Sequence, residues 1–202
     1  IGLIWTGVSL AFASLLGPFV LAAAAVGLTL AWAYSAPPIR LKKNGWWGNT
    51  AVAACYEGLP WLTGAAVMTG GLPSARIFAV ALLYSLGAHG IMTLNDFKSV
   101  EGDKRLGIGS LPVRLGPERA GWFACAVMAL PQAVVVALLV AWGKPYHAFG
   151  VALLLAVQLG LMLRLLEAPA ERAPWYNATG VTLYVSGMLL TALALGGLET
   201  AA

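Results

Sequence analysis

Ser74-Ala-Arg-Ile-Phe-Ala-Val-Ala-Leu-Leu-Tyr-Ser-Leu-Gly-Ala-His-Gly-Ile-Met-Thr-Leu94 is an apolar run that turns polar at once, in Asn95-Asp96-Phe97-Lys98-Ser99-Val100-Glu101-Gly102-Asp103. About 20 apolar residues span a bilayer core as a helix, so the first stretch reads as a transmembrane helix and the second as its polar mouth. The rest of the chain has the same character. Of 202 residues 60% are hydrophobic and only 10% charged, and the mean hydropathy is +0.82. A soluble domain carries about 25% charged residues, and so few charges cannot cover a globule of this size. Disorder, collagen and disulfide scaffolds are excluded by the apolar, non-repetitive composition and by two cysteines alone. Cys55 and Cys125 lie inside apolar runs without metal-ligand spacing and read as small buried hydrophobes.

Seven such stretches are expected, at Ile1–Leu16, Pro18–Ser35, Asn49–Gly70, Ser74–Leu94, Glu118–Trp142, Tyr146–Leu166 and Asn177–Leu198. The fold class is therefore all-α, a polytopic transmembrane bundle, with residues 1–202 forming one membrane-embedded domain. Gly17-Pro18, Pro37-Pro38, Gly70-Gly71 and Pro117 punctuate the boundaries. Pro60 and Pro131 fall within spans and predict kinks. The chain opens at Ile1 in mid-run without an initiator Met, so a domain incomplete at its N-terminus is expected.

Lys and Arg set the orientation. Arg40, Lys42, Lys43, Lys98, Lys104, Arg105, Arg114, Arg119, Arg164 and Arg172 fall on one side of the seven-span topology, Arg76 and Lys144 on the other. By the positive-inside rule the first side is cytoplasmic, which leaves the C-terminus outside. The net charge of +4 belongs to these loops, and no nucleic-acid partner is expected.

The chemistry gathers on the cytoplasmic side. Asn95, Asp96, Glu101 and Asp103 are hard oxygen donors suited to Mg²⁺ and, through it, to a phosphate. On an unbroken helix Asp96 and Asp103 share a face but stand about 10 Å apart at ~1.5 Å per residue, too far for one Mg²⁺. Either the helix breaks near Gly102, or two metals bind, or a partner cluster completes the site; a plain solvated loop is the alternative to all three. A second group, Tyr34-Ser35-Ala36-Pro37-Pro38-Ile39-Arg40-Leu41-Lys42-Lys43, places a helix-end tyrosine near three cations. Such cations stabilise a leaving diphosphate, or act only as topological anchors. Within the spans, Glu57 and His89 are costly unless they face a cavity or a partner. No Walker, Gly-x-Gly-x-x-Gly, Cys-x-x-Cys or Ser/His/Asp pattern is present. A transporter stays open as a rival, although it would place its polar cluster nearer the midplane.

These motifs resemble the membrane-embedded prenyltransferases of the UbiA superfamily over essentially the whole chain. Asn95, Asp96 and Asp103 match the second acidic motif, and Tyr34, Arg40 and Lys42 the tyrosine-plus-basic motif. The runs Asn44-Gly45-Trp46-Trp47-Gly48-Asn49, Tyr56-Glu57-Gly58-Leu59-Pro60-Trp61 and Ser110-Leu111-Pro112-Val113 look like the bacteriochlorophyll/chlorophyll synthase branch. The resemblance implies nine spans, of which this chain holds the last seven, and a first Asp-rich motif that it lacks, so the chain alone is expected to be inactive.

The resemblance further implies a C20 prenyl (geranylgeranyl or phytyl) diphosphate donor and esterification of the 17-propionate of (bacterio)chlorophyllide. Mg²⁺ would be held by Asp96, Asp103 and Glu101, with Asn95 in the catalytic group and Tyr34, Arg40, Lys42 and Lys98 on the diphosphate. Glu57 and His89 would line one acceptor cavity, His89 at the macrocycle's central Mg²⁺ or at a peripheral carbonyl. The setting is a bacterial inner membrane, cytoplasmic or intracytoplasmic and photosynthetic. The rival readings are a quinone- or haem-precursor prenyltransferase of the same superfamily and a non-enzymatic transporter.

Overall fold

The computed structural model describes the backbone of residues 1–199 and side chains through residue 196; residues 200–202, included in the expected domain, lie outside the described residues. Among the described residues ten α-helices follow in order: α1 (Gly2–Leu15), α2 (Pro18–Ser35), α3 (Gly45–Ala53), α4 (Leu59–Thr69), α5 (Ala75–Asp96), α6 (Val100–Leu106), α7 (Leu111–Leu115), α8 (Pro117–Ala141), α9 (Pro145–Glu167) and α10 (Pro169–Glu199). Among the described residues there is no strand, so the all-α expectation holds.

Among the described residues five helical stretches are long and apolar enough to cross a membrane: Pro18–Ser35, Ala75–Leu106, Pro117–Ala141, Pro145–Glu167 and Pro169–Gly196. This is an integral membrane protein. The other two expected spans differ from the reading above. Helix α1 has 14 residues and is short for a crossing. The third span is a compound rod, in which a π-helical turn, Ala54–Gly58, joins α3 to α4. Pro60 accounts for the turn, because it has no N–H to offer the preceding turn and its ring crowds the carbonyl four residues back. The irregularity therefore lies just ahead of Pro60, where π turns often mark functional positions. Helix α8, by contrast, continues through Pro131. Helix α10 starts at Pro169, eight residues before the expected Asn177, and carries Pro174 inside its first turns.

The core lies among α5, α8, α9 and α10, around Tyr84, Met128, Val135, Leu139, Val151 and Tyr184. In lipid, helices associate through close packing and interhelical hydrogen bonds, and both occur here. A Cβ on Gly90 would stand 2.6 Å from the Ala124 carbonyl oxygen, so α5 and α8 meet at backbone distance only because that residue is glycine. Gln132 on α8 and Gln158 on α9 are fully buried and exchange amide hydrogen bonds of 3.1 and 3.2 Å. Tyr184 donates to the Tyr84 carbonyl, and the Tyr84 hydroxyl pairs with Thr191 at 2.8 Å. Helices α1 and α2 stay peripheral and bury only Ala13, Val20 and Ala23.

Polar loops meet at one end of this bundle. The Asn44 and Gly109 segments form an isolated parallel bridge, in which Gly45 N–H donates to the Gly109 carbonyl at 2.8 Å and Gly109 N–H to the Lys43 carbonyl at 3.0 Å. Asn95 accepts a 3.0 Å hydrogen bond from Asn177 of α10. The end of α2, the start of α3, the end of α5 and the first turns of α10 are thereby gathered around one mouth. At the other end Arg76 lies over the Trp142 ring, 6.0 Å from its centroid.

Candidate active site

A cavity of about 570 Å³ opens at the polar mouth between α2, α3 and α5. Its polar lining includes Tyr34, Asn49, Tyr56, Asn95, Asp96, Lys98 and Ser99, set against apolar walls that include Leu30, Val52 and Met92. The sequence-predicted residues Tyr34, Asn95, Asp96 and Lys98 are thus brought to one cavity.

Asp103 reaches the same group through a serine. Helix α5 ends at Asp96, a 3₁₀ turn follows over Phe97–Ser99, and α6 restarts at Val100. The Ser99 hydroxyl lies 3.0 Å from the Asp96 carbonyl oxygen and 3.0 Å from Asp103 Oδ2. Of the alternatives above, the helix does break, but three residues before Gly102, which lies within α6 with nothing crowding it.

Glu101 does not join this pair. Its side chain is 77% exposed and bonds Lys104 at 3.3 Å. Two residues apart on a helix face opposite ways, so once Asp103 turns back to Ser99, Glu101 turns outward. Glu101 thus stands apart from the expected metal set of Asp96, Asp103 and Glu101, and among the described residues no three His, Cys, Asp or Glu side chains come together. Two carboxylates still suit Mg²⁺, which usually binds one or two protein carboxylates and completes its shell with water and substrate phosphate.

Asn49, which was not among the expected site residues, holds Asp96. Asn49 on α3 is buried and donates to Asp96 Oδ2 at 3.1 Å, with Thr93 Oγ1 at 3.4 Å from the same nitrogen. The available signal was an amide inside an apolar run, which needs a partner when buried.

The cationic loop is constrained rather than loose. Arg40 sits in the left-handed region at φ 43°, an uncommon and costly state for a residue with a side chain. Its Nε is buried without a hydrogen-bond partner. Neither Arg40 nor Lys42 lines the cavity around Asp96; the Asn44–Gly109 bridge ties their loop to the segment that follows α6.

On the other side of α3 lies a second cavity of about 510 Å³, almost wholly apolar, with Thr50, Ser85 and His89 among its lining. His89 stands among aromatic rings, 5.5 Å from the Phe123 centroid and 6.1 Å from that of Trp46. Its Nε2 lies 3.2 Å from the Trp46 carbonyl oxygen, and its Nδ1 is buried without a partner. The ring therefore meets the cavity without a free nitrogen exposed to it. Glu57, expected in the same cavity, is not part of that lining; it sits half-buried on the π turn.

Fold and site together define a membrane-embedded helical bundle, with a polar pocket at one end and apolar cavities beside it. The chain belongs to the UbiA prenyltransferase family, whose model matches residues 1–184. It is 58% identical over 199 residues to the bacteriochlorophyll synthase 33 kDa chain of Cereibacter sphaeroides, covering 98% of this chain and 66% of that one. Identity is 46% over 196 residues to the 34 kDa chain of Chloroflexus aurantiacus, covering 96% and 61%. It is 40% over 178 residues to chloroplastic chlorophyll synthase of Arabidopsis thaliana, covering 88% and 46%. These relatives bear out the branch that the motifs resemble. A solved structure from work on digeranylgeranylglyceryl phosphate synthase in membranes superposes with a TM-score of 0.76 at 20% identity, over 95% of this chain and 66% of that one, and shows the shared fold. The chain spans less than two thirds of the length of these relatives.

Proposed function

We propose that the protein carrying this chain esterifies the 17-propionate of (bacterio)chlorophyllide with a C20 prenyl group, geranylgeranyl or phytyl, taken from its diphosphate. The observation that carries the reading is the cavity at the end of α5, where Asp96, Asn95, Lys98 and Tyr34 meet apolar walls in a chain related to named bacteriochlorophyll synthases. A prenyl diphosphate has the same two-part character.

Asp96 and Asp103 would hold Mg²⁺, which when bound supplies charge stabilisation to the diphosphate oxygens. Lys98 from within the cavity, and Arg40 and Lys42 from the tethered loop, neutralise charge that grows as the carbon–oxygen bond breaks and its electron pair leaves with the diphosphate. The Tyr34 hydroxyl and the Asn95 amide orient the same group. The propionate, already an anion at neutral pH, donates an oxygen pair to the allylic carbon. No proton moves, so a site without a strong base suffices. We place the protein in a bacterial inner membrane, cytoplasmic or intracytoplasmic, with the site toward the cytoplasm.

A flat macrocycle needs apolar walls, and the cavity beside α3 offers them. His89 contacts the ring there by packing, with its Nε2 against the Trp46 carbonyl; Glu57 lies outside this lining and is given no contact with the ring. His89→Phe is expected to weaken chlorophyllide binding and spare prenyl-diphosphate binding. Pigment absorbance and affinity identical to the parent would make His89 purely structural.

The overall test is Mg²⁺- and diphosphate-dependent pigment esterification by the complete gene product in membranes. A phenolic or other porphyrin acceptor used in preference would move the reading to another UbiA branch, and pigment or lipid translocation without ester formation would favour a transporter. Within this scheme Arg40→Ala and Lys42→Ala each remove a charge-assisted contact of about 1.5–3 kcal/mol, so prenyl-diphosphate affinity and rate should fall about 10- to 100-fold. Binding that responds to neither substitution would make these cations topological anchors.

A further inference from the structure

We propose that Asn49 is a positioning residue for Asp96, fixing which carboxylate oxygen is presented to the cation and diphosphate; this rests on the reading of Asp96 given above. Asn49 comes from α3, a different helix from Asp96, and is 6% exposed. Its two nearest polar neighbours both require a donor. Asp96 Oδ2, 3.1 Å away, is a carboxylate oxygen. Thr93 Oγ1, 3.4 Å away, has committed its hydrogen to the His89 carbonyl at 2.9 Å, so toward Asn49 it can only accept. The amide therefore turns its NH₂ toward them, one N–H for each.

Two consequences follow for Asp96. One oxygen, Oδ2, is engaged by the protein and the other, Oδ1, is left for a ligand in the cavity that both residues line. The Ser99 hydroxyl lies 3.0 Å from the Asp96 carbonyl oxygen and shares its one hydrogen between that oxygen and Asp103 Oδ2. The amide is also the right chemical type. A lysine at this place would neutralise the acid and compete with a cation, and a carboxylate would repel it. An amide orients Asp96 and leaves its full negative charge for the cation. Residues that orient metal-binding side chains in this way typically contribute 10- to 100-fold to metal affinity.

The experiment measures Mn²⁺ binding in the presence of inorganic pyrophosphate, by the electron paramagnetic resonance of free Mn²⁺, on the detergent-purified complete gene product. Asn49→Leu removes the donor. Asn49→Ser removes its reach while keeping a small polar side chain that folds readily. Both should raise the Mn²⁺ dissociation constant about 10- to 100-fold with parent-like helical content, whereas Thr93→Val, which removes only the second acceptor, should shift it less. Parent-like Mn²⁺ binding by both Asn49 variants, alongside loss of binding in Asp96→Asn, would overturn the role of Asn49 and leave Asp96 in place. Parent-like binding by Asp96→Asn would instead overturn the reading of Asp96, and the role of Asn49 with it.

Discussion

Asp96→Ala, made in the complete gene product, is expected to lower turnover about a thousandfold or more while membrane insertion and helix content stay unchanged. The size follows from the chemistry assigned to this carboxylate. Loss of a ligand that stabilises developing charge costs several kcal/mol, and each ~1.4 kcal/mol is a factor of ten in rate. Insertion is spared because the apolar run of α5 is untouched and alanine suits a helix end. The structural cost is local: the buried Asn49 amide loses its acceptor, worth about 1–3 kcal/mol. Glu101→Ala is the matched control. It also removes an acid from the same motif, but one that is 77% exposed and bonds only Lys104, so rate and stability should stay near the parent's. Near-normal turnover in Asp96→Ala would remove Asp96 from the site.

The contrast between Asp96 and Glu101 shows where the sequence was legible and where it was not. Apolar run length is a bulk property of lipid solvation, so α2, α8 and α9 begin and end within a residue of the expected bounds. Local backbone chemistry was harder. The stretch Ala54–Gly58 reads as ordinary helix by composition, and its π turn arises from the proline two residues later. A break at glycine, the weakest helix former there, was one of the alternatives for the acidic motif; the helix breaks instead at Phe97–Ser99, where Phe97 is buried and Ser99 bonds back to Asp96. Tertiary contact overrode propensity. Glu101 and Asp103 differ in role because they project from opposite sides of α6, which a motif alone does not reveal until the start of the helix is known.

Partnership between distant segments was the least legible feature. Asn49 and Asp96 are 47 positions apart, Asn95 and Asn177 82 positions apart, and no periodicity links them. The sequence did signal that a buried amide in an apolar helix needs a partner, but not which one. His89 is the reverse case: its place on the same helical face as Asp96 was readable, while the Trp46 carbonyl that meets Nε2 belongs to α3 and was not.

Gly45→Ala carries the second large expected effect, about a hundredfold loss of rate with a raised KM for prenyl diphosphate and a lower unfolding temperature in detergent. A Cβ at this position would lie 2.6 Å from Leu111 N, 2.9 Å from the Ser110 carbonyl carbon and 3.0 Å from the Gly109 oxygen. All three are backbone atoms, so no side chain can swing aside to make room. The methyl must push the Asn44 and Gly109 segments apart, which strains or breaks the 2.8 and 3.0 Å hydrogen bonds between them, at about 0.5–1.5 kcal/mol each. The Arg114 contact to Asn44 Oδ1, already 3.5 Å, would go with them. This bridge holds the loop of Arg40 and Lys42 to the segment that leaves α6, so the cations shift relative to Asp96 and Asp103. Misplacement by about 1 Å costs on the order of a hundredfold where catalysis depends on position. Gly102→Ala separates this from a general intolerance of side chains in the polar mouth: nothing lies within 4 Å of its Cβ, and in α6 an alanine gains up to about 1 kcal/mol of helix propensity. That variant should match the parent in rate and be at least as stable. If Gly45→Ala instead matches the parent in rate, KM and unfolding temperature, the bridge does not position the cationic loop, and Arg40 and Lys42 act independently of it.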